Sequence, residues 1–254
     1  MENNKEYKKH MRAVERNGFM LKYVPEELRT KELCEIAVAQ AGDAIAFVPE
    51  ELRTKELCDV AVKDFPFALR FIPEELKTKE LCEMAVRIAE SGLILQYVPE
   101  ELRTKELCEI AVAQEGYAIT FVPDEIITPE ICELAVKDFP FALRYIPEEL
   151  KTKELCEMAV RIVEEGFILQ YVPAELKTPE LCNHAVKKYG YAIIDVPEEL
   201  KTFEMCEIAF VGISSYDHDW KDKSEFLKTH IPEEFQDELA EKYDISLDGK
   251  YKGR

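Results

Sequence analysis

The sequence has little glycine, tryptophan and histidine, and far less positive than negative charge. Among 254 residues there are nine glycines, one tryptophan and four histidines, and 33 basic residues stand against 52 acidic ones. The net charge of −19 argues against direct binding of nucleic acid or of an anionic membrane, because each requires a basic surface. It favours a protein partner that presents a basic patch.

Long apolar runs are also missing. No stretch approaches the roughly 18 apolar residues that a membrane-spanning helix requires. The opening residues Met1–Glu6 lack the apolar segment of a secretory signal. We therefore expect no membrane partner and a cytoplasmic location.

Motifs that carry chemistry are absent as well. The chain has no glycine-rich phosphate loop, no Cys-x-x-Cys pair and no nucleophile with a placed base. The run Asp217-His218-Asp219 offers metal-ligating types, but three adjacent side chains cannot all converge on one ion. We expect no enzyme activity, no cofactor and no metal, and we keep a metal-dependent enzyme built on residues 214–230 as a third hypothesis.

What the sequence does contain is a repeat. The segment Pro25–Val38 returns in variant form from seven later prolines, and each copy has a cysteine nine residues after its proline. The later prolines are Pro49, Pro73, Pro99, Pro123, Pro147, Pro173 and Pro197. Self-similarity at so short a period predicts stacked units that bury their apolar faces on one another. The predicted fold class is all-α, an α-solenoid of tandem helical hairpins of 24–26 residues.

The proline spacing divides the chain into three parts. Residues 1–24 are a polar leader and an N-terminal half-repeat cap, residues 25–212 are eight repeats, and residues 213–254 are a divergent C-terminal cap and tail. A 74-residue block of three repeats at 25–98 is duplicated at 99–172 with 60 of 74 positions identical, and a partial third block begins at 173.

Punctuation residues place two helices in each repeat. Thr30 predicts the N-cap of a first helix from Lys31 to about Ala41, and Gly42 predicts its C-cap. A shorter second helix then runs towards the next proline. In the third and sixth repeats two extra residues are expected to lengthen the first helix, through 87–90 and 161–164.

Cysteines and aromatic residues each recur once per repeat, which predicts structural roles. Packed helices lie about 8–10 Å apart, whereas a disulfide requires Cα atoms within about 7 Å, so we expect free thiols in the core. The aromatic residues two positions before seven of the eight prolines are also expected to pack in the core, and Asp195 takes this place before Pro197. The aromatic residues are Tyr23, Phe47, Phe71, Tyr97, Phe121, Tyr145 and Tyr171.

Repeats such as 142–151, Ala-Leu-Arg-Tyr-Ile-Pro-Glu-Glu-Leu-Lys, resemble a bacterial family of short helical repeats, the domain of unknown function DUF4116. Its members carry an Ala-Leu-x-Tyr segment, then Glu-Glu-Leu-Lys, then a helix ending near glycine. The resemblance covers about residues 11–210 and departs in the Val/Ile-Pro dipeptide, the threonine cap and the repeated cysteine. It implies tandem helical units of larger or host-interacting bacterial proteins, without catalytic residues.

Two sets of side chains are candidates for partner binding. One is an acidic strip on the first helix, and the other is the variable position three residues before each proline. The candidates are Glu35, Asp59, Glu83, Glu109, Glu133 and Glu157 in the strip, and Arg70, Gln96, Arg144 and Gln170 at the variable position. Many acids precede a base by four residues, as Glu83 precedes Arg87, and such pairs are typical of a solvated helix face.

The predicted function is therefore recognition without catalysis. An extended acidic face of the solenoid would bind a macromolecular partner, a protein with a basic surface. The alternative is an inhibitor encoded by a phage or mobile element, whose carboxylates imitate nucleic acid and block a host nucleic-acid enzyme. Such an inhibitor would compete with nucleic acid, and its binding would weaken steeply with salt.

Overall fold

A computed structural model describes residues 2–163, 167–214 and 220–247 of the chain. Within these ranges the regular structure consists of α-helices and 3₁₀ helices, and no strand occurs. The prediction of an all-α solenoid built from tandem helical repeats is confirmed. No helix in the described ranges combines the length and apolarity needed to cross a lipid bilayer.

Eleven α-helices lie in the described residues. They are α1 (Glu2–Arg16), α2 (Lys31–Gln40), α3 (Lys55–Asp64), α4 (Lys79–Ile88), α5 (Lys105–Gln114), α6 (Pro129–Asp138), α7 (Lys153–Ile162), α8 (Pro179–Lys188), α9 (Phe203–Ser214), α10 (Trp220–His230) and α11 (Glu233–Lys242). From α2 to α8 each α-helix has ten residues.

Two kinds of 3₁₀ helix connect the α-helices. The longer ones follow α1 to α8 and occupy Gly18–Tyr23, Gly42–Phe47, Pro66–Phe71, Gly92–Tyr97, Gly116–Phe121, Pro140–Tyr145, Ile168–Tyr171 and Gly190–Asp195. Three-residue turns precede α2 to α9 and occupy Glu26–Leu28, Glu50–Leu52, Glu74–Leu76, Glu100–Leu102, Asp124–Ile126, Glu148–Leu150, Ala174–Leu176 and Glu198–Leu200. The predicted second helix of each hairpin is therefore a 3₁₀ helix.

The chain divides into two compact units, Met1–Ala135 and Val136–Arg254. In the first unit α1 to α5 pack side by side in sequence order, and the longer 3₁₀ helices stack as a second layer against them. In the second unit α7, α8 and α9 pack in the same way, and α10 and α11 both contact α9. Helices α2 to α9 bury the same four positions, as Leu33, Cys34, Ala37 and Val38 do in α2.

Threonine caps start the α-helices as predicted. The hydroxyl of Thr30 accepts a hydrogen bond from the backbone N–H of Leu33 at 3.3 Å, and Thr78 accepts one from Leu81 at the same distance. A side-chain oxygen at this position satisfies one of the donors that a helix start leaves free.

The prediction that Gly42 is a C-cap was wrong. The cap is Ala41 in extended conformation, with φ of −157°, and Gly42 begins the following 3₁₀ helix without a left-handed φ. Glycine is required there because a Cβ would overlap the carbonyl oxygen of Ala61 in the next repeat. The small residue therefore sets how closely consecutive repeats approach.

The two extra residues of the longer repeats do not lengthen the α-helix. Helix α4 ends at Ile88, and the additional residues lie in the connection before Gly92. Helix α7 likewise ends at Ile162, and residues 164–166 of its connection lie outside the described ranges.

The last residue of several α-helices forms hydrogen bonds to the backbone of the connection in the preceding repeat, and its type differs between short and long connections. After a short connection, Asp64 accepts a hydrogen bond from the Gly42 N–H at 2.7 Å. After a long connection, the Gln114 amide donates to the carbonyls of Val86 and Ala89 at 3.2 and 2.9 Å. In the second unit Lys188 donates in the same way to the carbonyls of Arg161 and Val163.

A basic side chain joins several of the turns to the following repeat. Arg29 donates from Nε to the carbonyl of Val24 and from Nη1 to the carbonyl of Phe47, both at 2.9 Å. Arg53 and Arg103 repeat both bonds. In the second unit the single nitrogen of Lys177 donates to the carbonyl of Asp195 at 2.7 Å. We call these residues the junction clamps.

Removing a junction clamp should destabilise the array. Arg53→Met leaves the carbonyls of Val48 and Phe71 without their side-chain donors, and unsatisfied polar groups of this kind cost about 1–3 kcal/mol. Arg70→Met is the matched control, because Arg70 is exposed and lies over the Phe71 ring at 4.4 Å, a contact worth about 0.5–1 kcal/mol. Urea unfolding followed by circular dichroism would measure both, and equal losses would contradict the clamp.

Adding one methyl group at the repeat interface should also destabilise the fold. Gly42→Ala forces a Cβ onto the Ala61 carbonyl, and overpacking of this kind costs about 1–3 kcal/mol. Gly212→Ala is the control, since the added Cβ would lie 3.7 Å from the Cα of Gly190, an ordinary contact distance. Gly212 lies within helix α9, where alanine gains about 1 kcal/mol over glycine. A lower urea midpoint for Gly42→Ala together with an unchanged or higher midpoint for Gly212→Ala is expected.

Candidate partner-binding surfaces

The predicted acidic strip lies along successive α-helices. Glu35, Asp59, Glu83 and Glu109 occupy one position on α2 to α5 in the first unit, with Glu133 on α6, and Glu157 has the same place on α7 in the second unit. All six are exposed or half-exposed. The strip is thus accessible to a partner.

Most strip carboxylates have a lysine four residues earlier. Lys31 lies 3.8 Å from Glu35, Lys79 lies 3.7 Å from Glu83, and Lys105 lies 3.6 Å from Glu109. The expected Glu83–Arg87 pair is replaced, because Arg87 binds Glu106 of the next repeat at 2.7 Å. In the second unit Glu157 lies within reach of both Lys153 and Arg161. Pairing therefore neutralises much of the strip.

Half-exposed apolar side chains run beside the strip. Val60 is 44% exposed, and it lines an open groove between α3 and α4 together with Leu81 and Met84. Lys55, Asp59, Lys63 and Glu80 form the charged margins of that groove. The same helix position holds Ile36, Ile110 and Leu134 in neighbouring repeats, each of them incompletely buried. We call this series the apolar ladder.

The surplus negative charge lies elsewhere, at the three-residue turns that precede the α-helices. Each turn of the first unit exposes two adjacent acids, which together form an acidic edge. The acids are Glu26, Glu27, Glu50, Glu51, Glu74, Glu75, Glu100, Glu101, Asp124 and Glu125. Among the described residues only Glu74 of this set forms a salt bridge, at 2.6 Å to Lys77. The nearby arginines are engaged as junction clamps, so the edge keeps its charge.

The variable-position candidates lie on the longer 3₁₀ helices, whereas the strip lies on the α-helices. Arg70 covers the Phe71 ring, and the Gln96 amide donates to the Leu93 carbonyl at 2.9 Å. In the second unit Arg144 lies over Tyr145 at 5.7 Å, and Gln170 donates to the Phe167 carbonyl at 2.8 Å. The predicted site residues therefore fall on two kinds of helix, and the α-helical groove contains none of the variable positions.

The prediction that the aromatic residues before the prolines pack in the core was wrong. Tyr23 is 68% exposed and Tyr145 is 36% exposed, and the other five are half-buried. Edge-to-face contacts link them to neighbouring repeats, as between Phe19 and Phe47 at 6.4 Å. They form the outer side of the 3₁₀ layer, and the core beneath them consists of aliphatic residues such as Leu21 and Ile45.

The family comparison identifies the repeat. The model of DUF4116, a domain of unknown function, matches residues 10–53, 54–103, 79–127 and 128–177. These matches cover more than half of the chain. The chain belongs to the DUF4116 family. No curated protein matches it.

Each DUF4116 match is about as long as two repeats, and two of the matches overlap between residues 79 and 103. Either choice of repeat pair therefore satisfies the family pattern, as expected when neighbouring units make the same contacts. The description assigns no function, so the surfaces themselves have to suggest what this DUF4116 chain does.

Polar groups of the metal-ligating types do not converge in the described part of this DUF4116 chain, where no group of three or more His, Cys, Asp and Glu side chains could hold an ion. His184 is exposed in the groove between α7 and α8. The Asp217–Asp219 run lies outside the described residues.

The eight cysteines are free and fully buried, as expected of core residues. Burial raises the pKa of each thiol to about 11, because the apolar surroundings disfavour the thiolate. The free thiols consequently lack the anionic character that makes a cysteine nucleophilic.

The cysteines of this DUF4116 chain should react only after unfolding. In the folded state an aromatic disulfide reagent at pH 8 should modify the thiols slowly, and all eight should react in strong denaturant. Because the folded-state pKa is raised, the thiols contribute stability that is complete below about pH 8.5, the unfolded pKa, and is lost as the pH rises towards 11. Rapid modification of any thiol in the folded protein would contradict this assignment.

Proposed function

We propose that this DUF4116 chain is a non-catalytic binding protein whose α-helical surface recognises a protein partner. The observation that carries the proposal is the apolar ladder, in which incompletely buried side chains such as Val60 and Leu134 recur on successive α-helices beside charged residues. Apolar patches bordered by polar groups are typical of protein–protein interfaces.

The grooves of this surface suit an amphipathic helix of the partner. Leu81 and Met84 flank the groove between α3 and α4, and methionine adapts readily to differently shaped side chains. An incoming helix would place its apolar residues on the ladder and its polar residues against Asp59 and Lys63. This mode uses anchors spaced by one helical turn, as in other helix-in-groove complexes.

The acidic edge supplies the preference for a basic partner. Its carboxylates lie in the turns directly before the α-helices, so they border the N-terminal ends of the grooves. Unpaired exposed charges of one sign accelerate association with an oppositely charged surface and disfavour acidic competitors. We place this interaction in the cytoplasm, without a cofactor.

Capture of partners by a tagged chain from a lysate of the native host would test the proposal. The groove variant Val60→Asp/Met84→Asp should release the same proteins that the wild type retains, at both low and high salt. The edge variant Glu51→Lys/Glu75→Lys/Glu101→Lys should weaken retention at about 0.1 M salt and have little effect at about 1 M, where the screening length is about 3 Å.

The matched control lies on the 3₁₀ layer. Arg70→Ala/Gln96→Ala changes two exposed residues of the same unit and should leave the captured set intact. The proposal is wrong if the groove variant, folded by circular dichroism, retains every protein that the wild type retains.

A nucleic-acid mimic is the second candidate. It is favoured by the acidic edge, where two adjacent carboxylates recur in each turn and all but Glu74 are without salt bridges in the described residues. In that case the captured protein would be a nucleic-acid enzyme, double-stranded DNA would displace it, and the edge variant rather than the groove variant would abolish binding. Retention that is insensitive to both DNA and salt would contradict the mimic.

A further inference from the structure

The two ends of the described chain carry unpaired charge of opposite sign. Helix α1 exposes five cations, Lys5, Lys8, Lys9, Arg12 and Arg16, and no salt bridge involves any of them among the described residues. Helix α11 exposes five acids, Glu233, Glu234, Asp237, Glu238 and Glu241, which are likewise without salt bridges in the described part.

This arrangement differs from the interior of the array. There an N-terminal lysine commonly pairs with a glutamate one turn later, as Lys105 pairs with Glu109 at 3.6 Å. On α11 the single lysine, Lys242, forms its salt bridge with Glu207 of α9, and none of the five exposed acids forms one in the described part of the chain. Both end helices thus present charge that the chain itself does not compensate.

The spacing of the two charge sets is complementary. The cations of α1 lie three or four residues apart and follow one side of the helix from Lys5 to Arg16, about 16 Å at 1.5 Å per residue. On α11 the acids from Glu234 to Glu241 have the same spacing and cover about 10 Å. Two helices packed side by side would place successive opposite charges within reach, as flanking charges do in coiled coils.

We propose that α1 of one copy binds α11 of a second copy. A nucleic acid is a poorer occupant for α1, because the net charge of −19 repels polyanions over the screening length. The acidic face of α11 is complementary to α1 in charge and in residue spacing, and it is present in every copy. This contact is independent of the proposed function, since it uses neither the apolar ladder nor the acidic edge.

Salt should act on the association in two ways. At about 0.1 M the screening length of about 10 Å reduces the repulsion between whole chains but leaves contacts within a few ångströms effective. At about 1 M the contacts are screened too. Two reciprocal contacts would close a dimer and a single contact would leave an open chain, and either raises the mass with protein concentration.

Light scattering with sedimentation velocity on the full chain would test the proposal through a charge exchange. Lys8→Glu/Arg12→Glu makes α1 acidic, and Glu234→Lys/Glu238→Lys/Glu241→Lys makes α11 basic. Each variant alone should associate at least tenfold more weakly than the wild type at about 0.1 M salt. An equimolar mixture should recover the wild-type association, because the unaltered α1 of one variant meets the unaltered α11 of the other, and the two altered helices also have opposite charges.

Lys137→Glu/Lys187→Glu is the control, because it alters the net charge as much as the α1 variant does and leaves both end helices unchanged. It should associate as the wild type does. A wild type that stays monomeric at all concentrations, variants that associate unchanged, or a mixture of folded variants that fails to recover association would each overturn the proposal. Binding of a DNA duplex through α1 without self-association would overturn it as well.

Discussion

At several repeat junctions a side chain from one repeat donates to a backbone carbonyl at the end of the next 3₁₀ helix, and the stacking of those repeats depends on this bond. Arg29 reaches the carbonyls of Val24 and Phe47 together, so one guanidinium joins two consecutive repeats. Arginine suits this role because its fork of donors serves two acceptors at once. Lysine carries its donors on a single nitrogen, and the Lys77 nitrogen donates to the carboxylate of Glu74 at 2.6 Å.

Close approach of the backbones is the second condition, and it explains where glycine occurs. Gly42 faces the Ala61 carbonyl and admits no side chain, while Asp64 accepts its N–H. Pro66, at the equivalent position one repeat later, has no N–H to donate, and the residue corresponding to Asp64 is the apolar Ile88. The type of residue at the end of an α-helix therefore depends on the backbone groups that the preceding connection presents to it. Repeats of different types consequently fit together in a particular order.

Local signals made the α-helices predictable from the sequence. Thr30 and the prolines act through neighbouring backbone groups, so their effects do not depend on the rest of the fold. The clamps, the role of Gly42 and the position of the two extra residues depend on the adjacent repeat, about one period away. A basic residue at nearly every position equivalent to Arg29 was the available signal, but it resembles an ordinary surface charge after two glutamates.

The surfaces were harder to predict because identical residue types have different surroundings. Glu35 is paired with Lys31, whereas Glu27, eight residues earlier, forms no salt bridge in the described part of the chain. Composition gives the excess of negative charge but not its distribution, which follows from where the cations are used. Because the arginines of the turns hold backbone carbonyls, the carboxylates beside them remain uncompensated. The demand of the repeat junction for donors thus determines where the protein is most acidic.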